Sequence, residues 1–255
     1  MLNALKSASK NLILQSAGKT AVLLAILFLI DNFWWSAALF MAAAFYFYWH
    51  GAASDIKLLR SFFIFLGIVI ISRWLIVQNL FFGIVLVLAS LSFFVILGIK
   101  NFLFLKRSLF YRILNNFLFL LAFLTFFFLA NPDFFWLKYL AVAAAMYCLF
   151  KEFFLLFPEF FEEKILIMPI SPKKAALFSL CLAFLASQFL WANSLLPIGF
   201  LNSSASMMVI ILIFKDLSAN YLIGSLDKRL VLKNITIFVI FTLIIFMASG
   251  WSPTI

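Results

Sequence analysis

Apolar residues run along this chain in nine long stretches that are separated by short polar breaks. A helix that crosses the hydrocarbon core of a bilayer, about 30 Å thick, needs roughly 20 such residues. The pattern therefore predicts an all-α bundle of about nine membrane-spanning helices. The predicted spans cover residues 18–30, 33–49, 61–77, 80–99, 113–130, 134–150, 175–193, 203–226 and 235–249.

Two segments fall outside this pattern of spans. Residues 1–17 carry leucine and isoleucine at the spacing of a surface helix, which predicts an amphipathic lead-in on the membrane. Residues 151–174 contain Pro158, Pro169 and Pro172 and are interpreted as a proline-broken cytoplasmic connection. All of residues 1–255 are predicted to form a single integral membrane domain.

The distribution of basic residues predicts the orientation of the bundle. With nine spans and a cytoplasmic N-terminus, all but three of the 19 Lys and Arg residues fall on the cytoplasmic side. The exceptions are Arg73, Lys138 and Lys215. Because cytoplasmic loops of membrane proteins are enriched in Lys and Arg, we expect a cytoplasmic N-terminus and an external C-terminus.

Composition strengthens the membrane assignment and narrows the range of partners. The chain is 67% apolar and 11% charged, whereas soluble domains are about 25% charged. We therefore expect a multi-pass protein of the cell membrane. The net charge of +10 does not indicate nucleic acid, because the cations lie between spans rather than on one basic face. The expected partners are the bilayer and anionic lipid headgroups at its cytoplasmic face; a protein partner or homo-oligomer remains open.

The common signatures of enzymes are missing from the sequence. With one histidine, the chain cannot form a two-His zinc motif, and it contains neither a G-x-S-x-G elbow nor a P-loop. The sequence therefore predicts no metal site and no cofactor, and it favours a non-enzymatic role. His50 follows Trp49 at the end of a span and is interpreted as an interfacial aromatic.

Small residues at four-residue spacing predict the faces on which helices pack closely. The expected packing positions are Ser179, Ala183 and Ser187 in span seven, Ala38 and Ala42 in span two, and Ala141 and Ala145 in span six. Phe184 is expected to face lipid.

Lys215 and Asp216 interrupt the apolar run of span eight, where a charge costs roughly 2.5–3.5 kcal/mol on insertion scales. Asp216 and Asn220 are one helical turn apart and share a face, so they are the predicted ligands of a polar site. Lys215 either lines this site or extends its long side chain to the headgroups. Arg73 either reaches the outer surface in the same way or pairs with an acid and binds an anionic group.

Three functions are compatible with these features. The first is a transporter-like or flippase-like protein, or its membrane subunit, with a polar site around Asp216 and Asn220. The second is a non-catalytic membrane subunit that docks a partner through its cytoplasmic loops. The third is an interfacial lipid-modifying enzyme that uses His50, Glu152 and Glu159. The substrate cannot be read from the sequence.

Overall fold

The computed structural model describes residues 2–29, 33–50, 58–75, 81–101, 107–128, 135–160 and 171–248. Over these residues, all of the regular secondary structure is helical. The predicted turns at residues 31–32, 78–79 and 131–133, and the predicted external C-terminus, lie outside the described residues.

Nine helices occupy the described residues. They are α1 (Leu2–Leu29), α2 (Phe33–Trp49), α3 (Leu59–Leu75), α4 (Phe81–Lys100), α5 (Arg107–Phe128), α6 (Phe135–Phe160), α7 (Pro172–Ser194), α8 (Phe200–Ile223) and α9 (Lys228–Ala248). Seven of them are long and apolar enough to cross a membrane, and α2 and α3 are shorter, with 17 residues each. The predicted all-α, multi-pass membrane bundle is thus confirmed.

The helices are distributed over two compact units, residues 1–121 and residues 122–255. In the first unit, α1 packs on α2 and α4, and α3 packs on α2 and α4. A row of buried rings marks its core: Phe65 lies 6.3 Å from Phe40 and 5.6 Å from Phe93 between ring centroids. In the second unit, successive helices pack in chain order, α6 on α7, α7 on α8 and α8 on α9.

The first helix differs from the prediction because it begins at Leu2 rather than near residue 18. The lead-in and the first span form one helix of 28 residues, which is about 42 Å long at 1.5 Å per residue. No proline interrupts these residues, so the backbone has no reason to stop at the polar positions. Thr20 even donates a 2.9 Å hydrogen bond to the carbonyl of Ser16 within the helix.

Helix α6 also extends beyond its predicted end at residue 150 and runs to Phe160. Its added turns bury Phe153, Phe154 and Leu156, so packing stabilises the extension. The first part of the predicted connection 151–174 is therefore helical, and residues 161–170 lie outside the described residues. At the far end, Pro172 starts α7 behind the cap Ser171, a position at which proline suits a helix.

The prediction from small residues is confirmed for α7 and wrong for α2. Ser179, Ala183 and Ser187 are buried, and Phe184 is 64% exposed, as expected. In α2 the two predicted alanines are exposed, and the buried positions are one or two residues away, at Ala37, Phe40 and Ala44. Alanine is so frequent in α2 that a four-residue spacing occurs on more than one face. In α6, position 141 is likewise exposed and position 145 is half-buried.

Candidate functional site

A tight turn joins α8 to α9 and sets the two helices side by side. Gly224 ends α8 with a left-handed φ of 74°, which glycine adopts without steric cost. The main-chain N–H groups of Gly224 and Ser225 donate to the carbonyls of Tyr221 and Asn220. Asp227 then accepts main-chain hydrogen bonds from the first turn of α9. The turn therefore places the last residues of α8 beside the first residues of α9.

The carboxylate of Asp216 lies between these two helices and is held from both sides. Asn220, one turn further along α8, donates from Nδ2 to Asp216 Oδ1 over 3.2 Å and to the Asp216 carbonyl over 2.8 Å. Asn234 of α9 donates from Nδ2 to Asp216 Oδ2 over 2.8 Å. Asp216 and Asn220 are half-buried, and Asn234 is 4% exposed. Both oxygens of the carboxylate thus accept an amide N–H.

Two further hydrogen bonds fix the amides that hold Asp216. Ser225 in the turn donates to Asn220 Oδ1 over 3.1 Å, and Asn234 Nδ2 also donates to the carbonyl of Leu230 over 3.1 Å. The polar groups therefore form a connected chain from the turn to Asp216. Hydrogen bonds to an ionised acceptor are the strong ones, and hydrocarbon offers no water to replace them.

Lys215 does not extend along the outside of α8. It is 6% exposed and belongs to a buried stripe that also contains Met207, Ile211 and Ser218. Its ammonium lies 4.7 Å from the ring centroid of Phe153 in α6, within the distance of a cation–π contact. Lys215 therefore matches neither interpretation: its side chain is buried, but on a different face of α8 from Asp216.

Glu152 adds a second buried charge to this part of the molecule. It precedes Phe153 in α6 and is 1% exposed. Its interpretation as an interfacial acid assumed that span six ends at residue 150, whereas α6 continues through it. Glu152 is therefore a buried acid that immediately precedes, in α6, the ring contacted by Lys215.

Of the remaining sequence candidates, only His50 has a side chain within the described part of the chain. Arg73 is a helical residue of α3, and its side chain lies outside the described part of the chain. His50 is exposed, and its ring stacks on Tyr46 at 4.8 Å between centroids, the arrangement of an interfacial aromatic. The side chain of Glu159 is outside the described residues as well.

Asn234 is the site residue that the sequence reasoning missed. It lies one position before the predicted start of span nine, so it was assigned to the loop. One signal could have found it: Asp216 lies eight residues before Gly224, and Asn234 lies ten residues after it. In a tight antiparallel helix pair, residues at similar distances from the turn lie side by side.

An apolar cavity of about 180 Å³ adjoins this site between α7, α8 and α9. Asn234 is the polar residue in a lining that otherwise consists of Phe189, Ile210, Ile213, Phe214, Leu217, Ile235 and Phe238. Among the described residues, no group of three or more His, Cys, Asp or Glu side chains could hold a metal ion. The arrangement can accept a proton or bind a donor group at Asp216, with apolar volume beside it.

Comparison with known proteins adds no relative: no family model, no curated protein and no solved structure matches this chain.

Proposed function

We propose that this chain is a transporter-like or flippase-like membrane protein, or the membrane subunit of one, with its polar site at Asp216, Asn220 and Asn234. The observation that carries the proposal is the carboxylate of Asp216, which accepts one amide N–H from α8 and another from α9. An ionisable residue held in the interior of a membrane bundle marks a transport or proton pathway more often than a structural contact.

The depth of the site supports this assignment. Asp216 lies seven residues before the end of α8, and Asn234 lies six residues after the start of α9. At 1.5 Å per residue, both are about 10 Å from the turn that joins the helices. Half of the hydrocarbon core is about 15 Å thick. Because the exposed Lys233 is adjacent to Asn234, the polar groups would lie at the headgroup side of the hydrocarbon, where a carboxylate gains from partners in the protein.

The connected hydrogen bonds supply a polar route into the membrane. Ser225 stands at the turn, Asn220 follows, and Asp216 ends the route about 10 Å further in. A proton or a polar headgroup entering from the turn would meet donors and acceptors at each step. The apolar cavity next to Asn234 offers space for the hydrophobic part of an amphiphile, which favours a flippase-like activity over transport of a small polar solute.

The test is a lipid-scrambling assay on purified protein in vesicles. Fluorescent phospholipid in the inner leaflet becomes accessible to an external reducing agent only after it crosses the bilayer. We expect the intact protein to accelerate this step and Asp216→Asn to slow it at least about tenfold, because the amide removes the acceptor charge. Lys233→Gln, which removes an exposed charge in α9, is the matched control. A rate equal to that of protein-free vesicles would contradict the proposal.

The exposure of α9 favours a second candidate, a subunit or homo-oligomer that packs through this helix, whereas docking through the cytoplasmic loops stays a prediction. Only 11% of the apolar stretch of α9 is buried, less than in any other described span that is long enough to cross a membrane. A helix with so little contact in its own chain faces lipid or a partner helix. We would test this with Ile240→Cys in a variant without Cys148 and Cys181: a disulfide-linked dimer formed in membranes would support an interface between copies.

A further inference from the structure

A groove open to the bilayer runs between α6 and α7, apart from the polar site described above. It has a volume of about 460 Å³, and small residues form its floor: Ala143, Ala144 and Ala183. Tyr139 marks one end, where its hydroxyl donates a 2.8 Å hydrogen bond to the carbonyl of Ser187 in α7. That bond joins the two helices and leaves the groove between them open further along.

The length of the groove matches one leaflet of a membrane. Tyr139 and Tyr147 both line it and lie eight residues apart on α6, which is about 12 Å along the helix axis. One leaflet contributes about 15 Å of hydrocarbon. A lipid acyl chain that is parallel to the helices would therefore occupy most of the length of the groove.

Lys151 lies one helical turn beyond Tyr147, at the end of the groove opposite to Tyr139. The ammonium of Lys151 donates to the hydroxyl oxygen of Tyr147 over 3.2 Å and lies 5.4 Å from its ring centroid. Because the phenol oxygen accepts from the lysine, its own O–H points elsewhere as a donor. Lys151 is half-buried, and its hydrogen-bond partner Tyr147 lines the groove. The end of the groove thus presents a cation and a hydroxyl donor side by side.

Two more lysines lie at the same end of the helix pair. Phe154 and Phe178 are in ring contact at 5.5 Å, whereas Tyr139 contacts Ser187, so α6 and α7 are antiparallel. The exposed lysines at positions 173 and 174 in the first turn of α7 are therefore at the Lys151 end. The positive charge is concentrated where the groove meets the headgroup region.

We propose that this groove binds a phospholipid with an anionic headgroup, with an acyl chain over the alanine floor and the phosphate at Lys151 and Tyr147. A zwitterionic lipid also carries a phosphate, but its cationic headgroup would bring a further positive charge beside the three lysines. A free phosphate would occupy only the lysine end and leave the apolar groove empty. An anionic phospholipid satisfies both halves of the site, as basic pockets between membrane helices do for such lipids.

Native mass spectrometry of the full chain in a neutral detergent tests this site. The protein is titrated with phosphatidylglycerol, with phosphatidylcholine of identical acyl chains, and with glycerol phosphate. We expect phosphatidylglycerol to bind about fivefold more tightly than phosphatidylcholine and glycerol phosphate to compete weakly. Lys151→Gln should reduce the preference to less than about twofold, and Ala144→Leu should weaken the binding of both lipids by filling the groove.

Lys233→Gln removes one exposed charge from α9 and should leave the preference unchanged. If Lys151→Gln does not fold, as judged by thermal unfolding, Tyr147→Phe removes the hydroxyl while retaining the ring and should lower the preference. Equal binding of the two lipids, or an undiminished preference in the variant at Lys151 or Tyr147, would overturn the proposal. Competition by glycerol phosphate as strong as that of the lipid would do so too.

Discussion

Each of the two units contains a buried lysine, and the two lysines are held in different ways. Lys100 is the last residue of α4 and is 3% exposed. Its ammonium donates to the main-chain carbonyl of Tyr48, next to the end of α2, and lies 4.1 Å from the centroid of that ring. Lys215 is 6% exposed but lies within α8, eight residues before its end.

The difference separates a structural charge from a candidate functional one. The last carbonyls of a helix have no partner within the helix, and a cation near them is favourable. The position of Lys100 therefore explains its burial. No helix end explains Lys215, which lies over Phe153 with Glu152 as the adjacent residue and with Asp216 next to it in sequence. A charge that local structure does not require is the better pointer to function.

The largest expected effect is a difference in thiol labelling between intact and lysed cells, which tests the proposed orientation of the chain. Nine spans with a cytoplasmic N-terminus place Lys100 and the turn after α8 on the cytoplasmic side. In a variant without native cysteines, Asn3→Cys should resist a membrane-impermeant thiol reagent added to intact cells and should react after lysis. A cysteine at position 225, in the turn, should behave in the same way. Labelling of either position from outside would invert the proposed orientation.

The second prediction compares the two neighbouring charges of α8. Asp216→Leu should impair lipid scrambling more than Lys215→Leu, because it removes the oxygen that accepts from Asn234 of α9 as well as the oxygen that accepts from Asn220 of α8. We expect a loss of at least about tenfold for Asp216→Leu. Both variants must retain a cooperative thermal transition for the rates to be compared. A larger loss for Lys215→Leu would indicate that the functional site lies at Lys215 and Phe153 rather than at Asp216.

The third prediction asks whether the two buried charges near Phe153 act together. Removing one partner of a buried charge pair costs roughly 3–5 kcal/mol, because the other charge stays buried. Lys215→Met and Glu152→Gln should each destabilise the protein in this range, and the double variant should be more stable than the sum of the two changes predicts. Denaturant unfolding of all four proteins measures the coupling. Additive changes would show that the two residues are held independently.

Lys100→Met is the matched comparison in the first unit. It removes a hydrogen bond to a buried carbonyl, at a cost of about 1–3 kcal/mol. Denaturant unfolding measures this cost, and a loss as large as that of Lys215→Met would contradict the distinction between the two lysines.

The helices themselves were largely predictable because a helix needs roughly 20 apolar residues to cross the hydrocarbon core. The predicted spans 33–49 and 80–99 agree with α2 and α4 to within one residue at each end. The predicted starts of α1, α5 and α9 came too late and the predicted end of α6 came too early, because each helix continues past its apolar run, and α6 does so through Pro158. A hydropathy pattern records where a helix leaves hydrocarbon, but the helix can continue along the surface or into a packed core.

The candidate site was predictable only within one helix. The spacing of Asp216 and Asn220 follows from the helical period, and the two side chains do meet. The contact with Asn234 depends on how two helices pack, which no local period specifies. The position of Lys215 was left open between two alternatives for a related reason: α8 is apolar on nearly all faces, so its sequence does not show which face packs inward.

The smallest expected effect tests whether burial in the second unit means enclosure by protein, on which the account of Lys215 depends. Ala183 and Phe184 are neighbours on α7, the first 5% and the second 64% exposed. Ala183 is buried at the floor of the groove between α6 and α7, so Ala183→Leu places extra volume against the facing helix and should cost about 1–3 kcal/mol. Phe184→Leu changes a side chain that lipid can surround and should shift the thermal midpoint in detergent little. Equal shifts for the two variants would mean that this face of α7 is not packed in solution, and the enclosed position of Lys215 on the adjoining helix would lose its support.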